Sequence, residues 1–248
     1  MKGLILAGGL ATRLRPLTLV TNKHLLPVYN KPMIYYPLEA LKQVGIKETL
    51  LITSGDHVGH FANLLKSGDE FDMRLYYAIQ HSPTGGIADA MKLAKEFAQN
   101  EPILVILGDN IFKFDLKASI ARFEQQLQKT GKGAMIFGVR RPDVRQYGVI
   151  ETDKDGTVIG IEEKPEHPKS DIAQTGIYVY DNRVFDFVNS LVPSGRGQLE
   201  VTDLNNAYLQ ERSLLCEVID WWIDAGTSHD ELLAANVEVA EFVKQGKL

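Results

Sequence analysis

Cysteine is almost absent: Cys216 stands alone among 248 residues, which excludes an internal disulfide framework and any cysteine-rich zinc site. A reducing compartment, the cytoplasm, fits that usage. No uncharged apolar run reaches about 18 residues, so no membrane-spanning helix is expected. The apolar run opening MKGLILAGGL is too short for a signal-peptide core. Proline is sparse at 10 residues and glycine ordinary at 21, so collagen-like and linker-like compositions are excluded. Positive charge is not in excess: 27 Lys and Arg face 32 Asp and Glu, a net charge of −5, which argues against a general nucleic-acid or anionic-membrane surface. Any basic site must therefore be local. The sequence also lacks an internal repeat, a low-complexity tract and a GxSxG elbow, and one compact unit over residues 1–248 is its simplest division.

What is present is an alternation of short apolar runs with helix-length segments. Strands are predicted at 3–7, 49–53, 75–79 and 103–107, the last (ILVIL) continuous enough to be buried on both faces of a parallel sheet. Helices are predicted between them at about 34–44, 57–66 and 87–99, and this order implies βαβ crossovers in a doubly wound α/β sheet. After a further helix at 116–129 the texture changes. Strands at 134–139, 148–151 and 158–162, the last two joined by a turn at Asp153-Lys154-Asp155-Gly156, suggest added antiparallel pairing. A strand at 177–180, helices at 183–191 and 201–210, a strand at 214–219 and a helix at 228–244 complete the reading.

The richest stretch for chemistry follows the first strand: Leu6-Ala7-Gly8-Gly9-Leu10-Ala11-Thr12-Arg13-Leu14-Arg15-Pro16. Paired glycines let backbone N–H groups approach phosphates, and Arg13 adds a planar guanidinium suited to phosphate oxygens. The stretch matches neither GxGxxG nor GxxxxGK[ST], and a tight turn with a surface arginine fits it too. Lys23 precedes the apolar LLPV, and Asp109 ends the most apolar strand, an expensive place for an unpaired carboxylate and a natural one for a Mg²⁺ ligand, an Asx turn or a helix cap. Gln80 and the Pro83-Thr84-Gly85-Gly86 loop end the third strand, where they could read a base or form only a turn. Lys164 precedes Pro165 and is expected to be extended. Trp222-Ile223-Asp224-Ala225-Gly226-Thr227 could be a strand-to-helix turn capped by Thr227. His57 and His60 read as surface histidines, Asp153-Lys154-Asp155 as an exposed hairpin despite its formal DxD pattern, and Cys216 as an inert mid-strand thiol.

Taken in order, LAGGLATRLRPLT, NKHLLPVYNKPMIYYPL, GDNIF, YGV, EEKP, TGIYVYD, GRGQLEVTDLNNAYL and WWIDAGT resemble the sugar-1-phosphate nucleotidyltransferases from Met1 nearly to the end of the chain. The resemblance implies a Rossmann-like α/β nucleotidyltransferase fold with a mainly parallel central sheet and additional antiparallel strands. It also implies Mg²⁺, and dTTP or UTP reacting with a sugar 1-phosphate, glucose being the default sugar, in a homo-oligomer. By position, Gly8, Gly9, Thr12 and Arg13 correspond to the family's pyrophosphorylase loop, assisted by Lys23. Leu6, Gln80, Pro83 and Gly85 correspond to nucleoside contacts, and Asp109 and Asp224 to metal carboxylates. Tyr147, Gly148, Glu163, Lys164, Gly176 and Tyr178 correspond to the sugar phosphate subsite, and Arg13, Lys23, Asp109 and Lys164 carry the catalytic roles. Three residues depart from the pattern: Ala11 replaces a usual glycine, His24 a more common polar residue, and Ala225 a frequent threonine. A glycosyltransferase that consumes nucleotide sugars is the rival reading.

Overall fold

The computed structural model describes residues 1–81, 85–195 and 197–248. It divides into two units: one holds Gly3–Pro83, Ile106–Asp115 and Trp221–Leu248, the other Met1–Lys2, Thr84–Val105 and Leu116–Asp220. The division falls inside the strand Ile103–Leu107 and not at a linker.

The first unit is built on parallel strands. Lys2–Ala7 pairs with Glu48–Ser54, which pairs with Arg74–Gln80, in a register that sets Leu4 beside Leu50 and Thr53 beside Ile79. Leu4, Ile5, Leu51 and Ile52 are fully buried, as aliphatic runs covered on both faces require. The helices Tyr35–Gln43 and Val58–Leu65 lie where expected, each burying one stripe: Leu38 and Leu41 on one, Phe61 and Leu65 on the other. The closing helix His229–Lys244 is capped by Ser228 and not by Thr227. Ser228 Oγ accepts the Glu231 N–H at 3.1 Å, the arrangement that Ser with Glu three residues later favours. That helix buries Ala235 and Val239 among Val28, Met33, Ile111, Ile223 and Ala225.

In the second unit Gly148–Thr152 and Val158–Glu163 form the expected hairpin, and Asp153 Oδ1 closes its turn by accepting the N–H groups of Asp155 and Thr157, both at 2.9 Å. Ala134–Arg140 pairs antiparallel with Ile172–Tyr180 and parallel with Leu214–Ile219. The strand Ile172–Tyr180 begins five residues before the predicted one because Gln174, Thr175 and Gly176 hide it from an apolar count. Its polar side chains are satisfied inside: Gln174 Oε1 accepts from Asn205 Nδ2 at 2.9 Å, and Thr175 Oγ1 donates to the Phe137 carbonyl at 2.9 Å. The predicted helix at 87–99 is instead broken into Gly86–Met91, a tight turn Lys92–Ala94 and Lys95–Ala98. Overall the architecture is α/β, with parallel strands and added antiparallel ones. No helix among the described residues is long and apolar enough to cross a membrane.

The second unit is pinned by a buried carboxylate. Asp181 accepts the Gly133 N–H at 2.7 Å, the Tyr208 hydroxyl at 2.9 Å, and the Arg183 Nε and Nη2 at 3.0 and 2.8 Å. With the Arg183 main-chain N–H at 3.0 Å, five donors on three segments converge on one anion, and Arg183 extends the chain to Glu211 at 2.6 Å. Asp181→Ala leaves these donors unmatched, and urea unfolding is expected to show a loss of about 3 kcal/mol.

Candidate active site

The loop after Lys2–Ala7 is shaped by its glycines. Gly9 has φ +92, a conformation that glycine adopts without strain, and a Cβ on Gly8 would come 2.7 Å from Gln80 Oε1. Gly8 and Gln80 are therefore brought together as expected. Ala11 takes φ +47 despite its Cβ, a strain of about 1–2 kcal/mol. Its carbonyl accepts the Thr18 hydroxyl at 2.9 Å, which holds the turn. Thr12 and Arg13 are exposed on the tight turn Thr12–Leu14, and Arg13 makes no ion pair with another described residue. Leu6 is buried in the strand, its carbonyl accepting the Gly108 N–H at 2.9 Å.

That contact brings in the second part of the site. Lys23 Nζ donates to Asp109 Oδ2. Burial works against the charge on Lys23, but Asp109 and then Asp224 outweigh it, and its pKa is raised. Burial likewise opposes ionisation of Asp109, and Lys23 more than compensates, holding it below the usual carboxylate range. Asp224 is pushed up to about 7, by burial first and by the charge of Asp109 second. A two-stranded ladder of Asn110–Phe112 with Trp222–Asp224 creates this proximity, since its register sets Asp224 opposite Asn110. Asp109 Oδ1 accepts from Asn110 Nδ2 at 3.1 Å, and Asn110 Oδ1 accepts from Trp222 Nε1 at 2.6 Å.

Asn22 and His24 had no role in the sequence reading, yet they set the position of Lys23. Asn22 Nδ2 donates to the Ala7 carbonyl at 3.1 Å, while its Oδ1 accepts the His24 N–H at 3.0 Å and lies 2.6 Å from His24 Nδ1. With the amide oxygen on that side, Nδ1 carries the proton. Burial pushes the imidazole pKa down to about 3, so His24 is a neutral wedge packed on Gly108. The available signal was an Asn two residues before the N–H it caps. Gly226 is the other steric requirement: a Cβ there would collide with Asp109 Oδ2 and come 2.8 Å from Lys23 Nζ. Ala225, in place of the frequent threonine, is fully buried, its N–H donating to the Asp109 carbonyl at 3.0 Å.

The sugar phosphate candidates lie in the second unit. Gly148 and Glu163 are direct partners across the hairpin, and the Lys164 N–H donates to the Tyr147 carbonyl at 3.0 Å. Glu163 Oε2 accepts from Thr202 Oγ1 at 2.6 Å, and Lys164 Nζ lies 3.7 Å from Glu163 Oε1. Lys164 is not extended, as Pro165 had implied, but has φ +48. The bond to Tyr147 and the strand register up to Glu163 override the local preference. Gly176 and Tyr178 sit within Ile172–Tyr180, where the buried Tyr178 ring stacks on Tyr180 with centroids 5.9 Å apart. Gly85 immediately precedes the helix Gly86–Met91, its carbonyl accepting the Leu199 N–H at 3.2 Å, and Pro83 falls outside the described residues.

The His57 and His60 rings are 5.5 Å apart, and no group of three His, Cys, Asp or Glu among the described residues could hold a metal. Burial pushes the Cys216 thiol up to about 12, which disfavours the reactive thiolate. Because Gly226 leaves room for the Lys23–Asp109 pair, Gly226→Ala is expected to cost about 1–3 kcal/mol in chemical unfolding, the range for overpacking a filled site.

Known proteins resemble this chain over most of its length. The family described as Nucleotidyl transferase matches residues 2–241. The glucose-1-phosphate thymidylyltransferase of Neisseria gonorrhoeae is 46% identical over 230 residues, 92% of this chain and 78% of that protein. That of Neisseria meningitidis serogroup A is 42% identical over 247 residues, 98% of this chain and 83% of the relative. A solved Bacillus anthracis chain assigned as a glucose-1-phosphate thymidylyltransferase, in complex with a sucrose, superposes with a TM-score of 0.89 at 44% identity, covering 96% of this chain and 94% of that one. A UDP-glucose pyrophosphorylase complexed with UDP-glucose has a TM-score of 0.81 at 22% identity, covering 97% and 98%, and shares the fold. With the family matched over nearly the whole length and relatives above 40% identity covering it, this chain belongs to the nucleotidyl transferase family.

Proposed function

We propose that this chain, acting as one nucleotidyltransferase domain over residues 1–248, converts dTTP and glucose 1-phosphate to dTDP-glucose and pyrophosphate. The observation that carries the reading is the convergence of Lys23, Asp109 and Asp224 beside the strand that ends in the Gly8-Gly9 loop. The names of the relatives supply the choice of dTTP and glucose 1-phosphate.

The donor set fits Mg²⁺. Asp109 and Asp224 offer two hard oxygen donors, and burial first and the Asp109 charge second push Asp224 up to about 7, a state that a divalent cation would relieve. Mg²⁺ is commonly held by one or two carboxylates plus substrate phosphates, so two carboxylates are enough. When bound, it supplies counter-charge for the triphosphate and for the charge that develops on pyrophosphate. Gly8, Gly9, Thr12 and Arg13 then form the triphosphate loop, with Leu6, Gln80, Pro83 and Gly85 around the nucleoside. Tyr147, Gly148, Glu163, Lys164, Gly176 and Tyr178 hold the sugar phosphate.

The sugar phosphate oxygen attacks the α-phosphorus in line and pyrophosphate leaves. A phosphate monoester is already ionised near neutral pH, so no general base is required. Arg13, Lys23 and Lys164 position two polyanions and offset their repulsion, and this positioning is the catalysis. The amide of Gln80 offers a donor and an acceptor to the O4 and N3–H edge shared by thymine and uracil and opposes the reversed pattern of cytosine. In this reading the enzyme works in the cytoplasm as a homo-oligomer.

A matrix of nucleoside triphosphates against sugar 1-phosphates tests the assignment. Pyrophosphate release is expected with dTTP and glucose 1-phosphate, to a lesser extent with UTP, and poorly with CTP or GTP. Sugar transfer from a nucleotide sugar to an acceptor, without pyrophosphate chemistry, would instead make the chain a glycosyltransferase. Arg13→Ala is expected to lower turnover by about 10²–10³ with little change in unfolding midpoint, because Arg13 is exposed and fills no core. Asp109→Asn and Asp224→Asn are each expected to abolish the Mg²⁺-dependent rate, measured as pyrophosphate release across a metal titration.

A further inference from the structure

The loop 141–147 joins the strands Ala134–Arg140 and Gly148–Thr152, and its first and last side chains meet. The Arg141 guanidinium lies over the Tyr147 ring, 5.3 Å from the centroid. Both residues are half-buried, whereas Arg145 between them is exposed. Each end of the loop is fixed by the main chain: the Arg141 N–H donates to the Asp171 carbonyl at 2.9 Å, and the Tyr147 N–H to the Val144 carbonyl at 3.0 Å. Val144 is itself buried, which anchors the middle. On the far side the Tyr147 carbonyl accepts the Lys164 N–H at 3.0 Å. A continuous line therefore runs from Arg141 through the Tyr147 ring and main chain to Lys164, the residue held at φ +48.

We infer that Arg141 is a positioning residue for sugar phosphate binding: its guanidinium clasps the Tyr147 ring and so pre-orders the Tyr147–Lys164 corner. The inference rests on the proposed function, in which Tyr147 and Lys164 contact the sugar phosphate. A planar cation over an aromatic face is attracted by the ring quadrupole, and it removes rotamer freedom from tyrosine that substrate binding would otherwise have to remove. A lysine keeps the charge but loses the flat face. The consequence falls on one substrate only, since no triphosphate candidate belongs to this loop.

The test is steady-state kinetics of Arg141→Ala, Arg141→Lys and Arg145→Ala with both substrates varied, alongside unfolding midpoints. Arg141→Ala is expected to raise the KM for glucose 1-phosphate about two- to fivefold, with kcat, the KM for dTTP and the midpoint unchanged. Arg141→Lys should fall between the alanine variant and the unaltered enzyme. Arg145→Ala should behave like the unaltered enzyme, which separates the clasp from loss of positive charge in general. An unchanged KM for glucose 1-phosphate in Arg141→Ala, equal rises for both substrates, or an equal rise in Arg145→Ala would overturn the inference while leaving the proposed reaction standing. Failure of the unaltered enzyme to make a nucleotide sugar from these substrates would overturn both.

Discussion

Lys23 and Asp109 are a charged pair buried at the carboxyl end of aliphatic strands, and much of the surrounding sequence can be read as what that pair demands. Neither charge is tolerable there alone, because desolvation opposes both and each is kept ionised by the other. Asn22 ties Lys23 to the end of the first strand, while Asn110 donates to the carboxylate oxygen that Lys23 leaves and is itself held by Trp222 Nε1. Gly226 gives up a side chain so that the pair can form. A site assembled in this way is preorganised before substrate arrives, and phosphoryl chemistry rewards that more than any nucleophile or base.

The two aspartates illustrate how one environment yields two behaviours. Asp109 touches the ammonium and stays ionised; Asp224 is pushed up to about 7 by burial first and by the like charge of Asp109 second. A pair set apart in this way is a site waiting for positive charge. The exposed Arg13 is near enough for its charge to oppose that of Lys23, which Asp109 and Asp224 outweigh. In the proposed reading, a protein of net charge −5 binds a triphosphate through positive charge concentrated where the first strand ends.

Much of this was legible in the sequence, for physical reasons that differ by element. Long aliphatic runs such as ILVIL and GLILA identify buried strands because burial on both faces leaves no other composition. Ile172–Tyr180 was half hidden because Gln174 and Thr175 are satisfied by partners distant in sequence. The ladder of Asn110–Phe112 with Trp222–Asp224 is three residues long, below any periodic signal, yet it sets the two aspartates together. The strand-end position made Asp109 a candidate and motif resemblance added Asp224, but neither supplied the supports Asn22, His24 and Gly226, whose roles are steric or made by single hydrogen bonds. Lys164 shows the opposite failure: the proline rule was applied correctly and then overruled by a strand register it cannot see.

The most direct measurement of whether the Lys23–Asp109–Asp224 cluster is the triphosphate centre is a crystal structure of the enzyme with dTTP and Mg²⁺. The expected result is a triphosphate lying along Gly8 to Arg13, Lys23 Nζ on a phosphate oxygen, and one metal ion in contact with both Asp109 and Asp224. A triphosphate bound away from this loop, or a metal coordinated by only one of the two carboxylates, would contradict it.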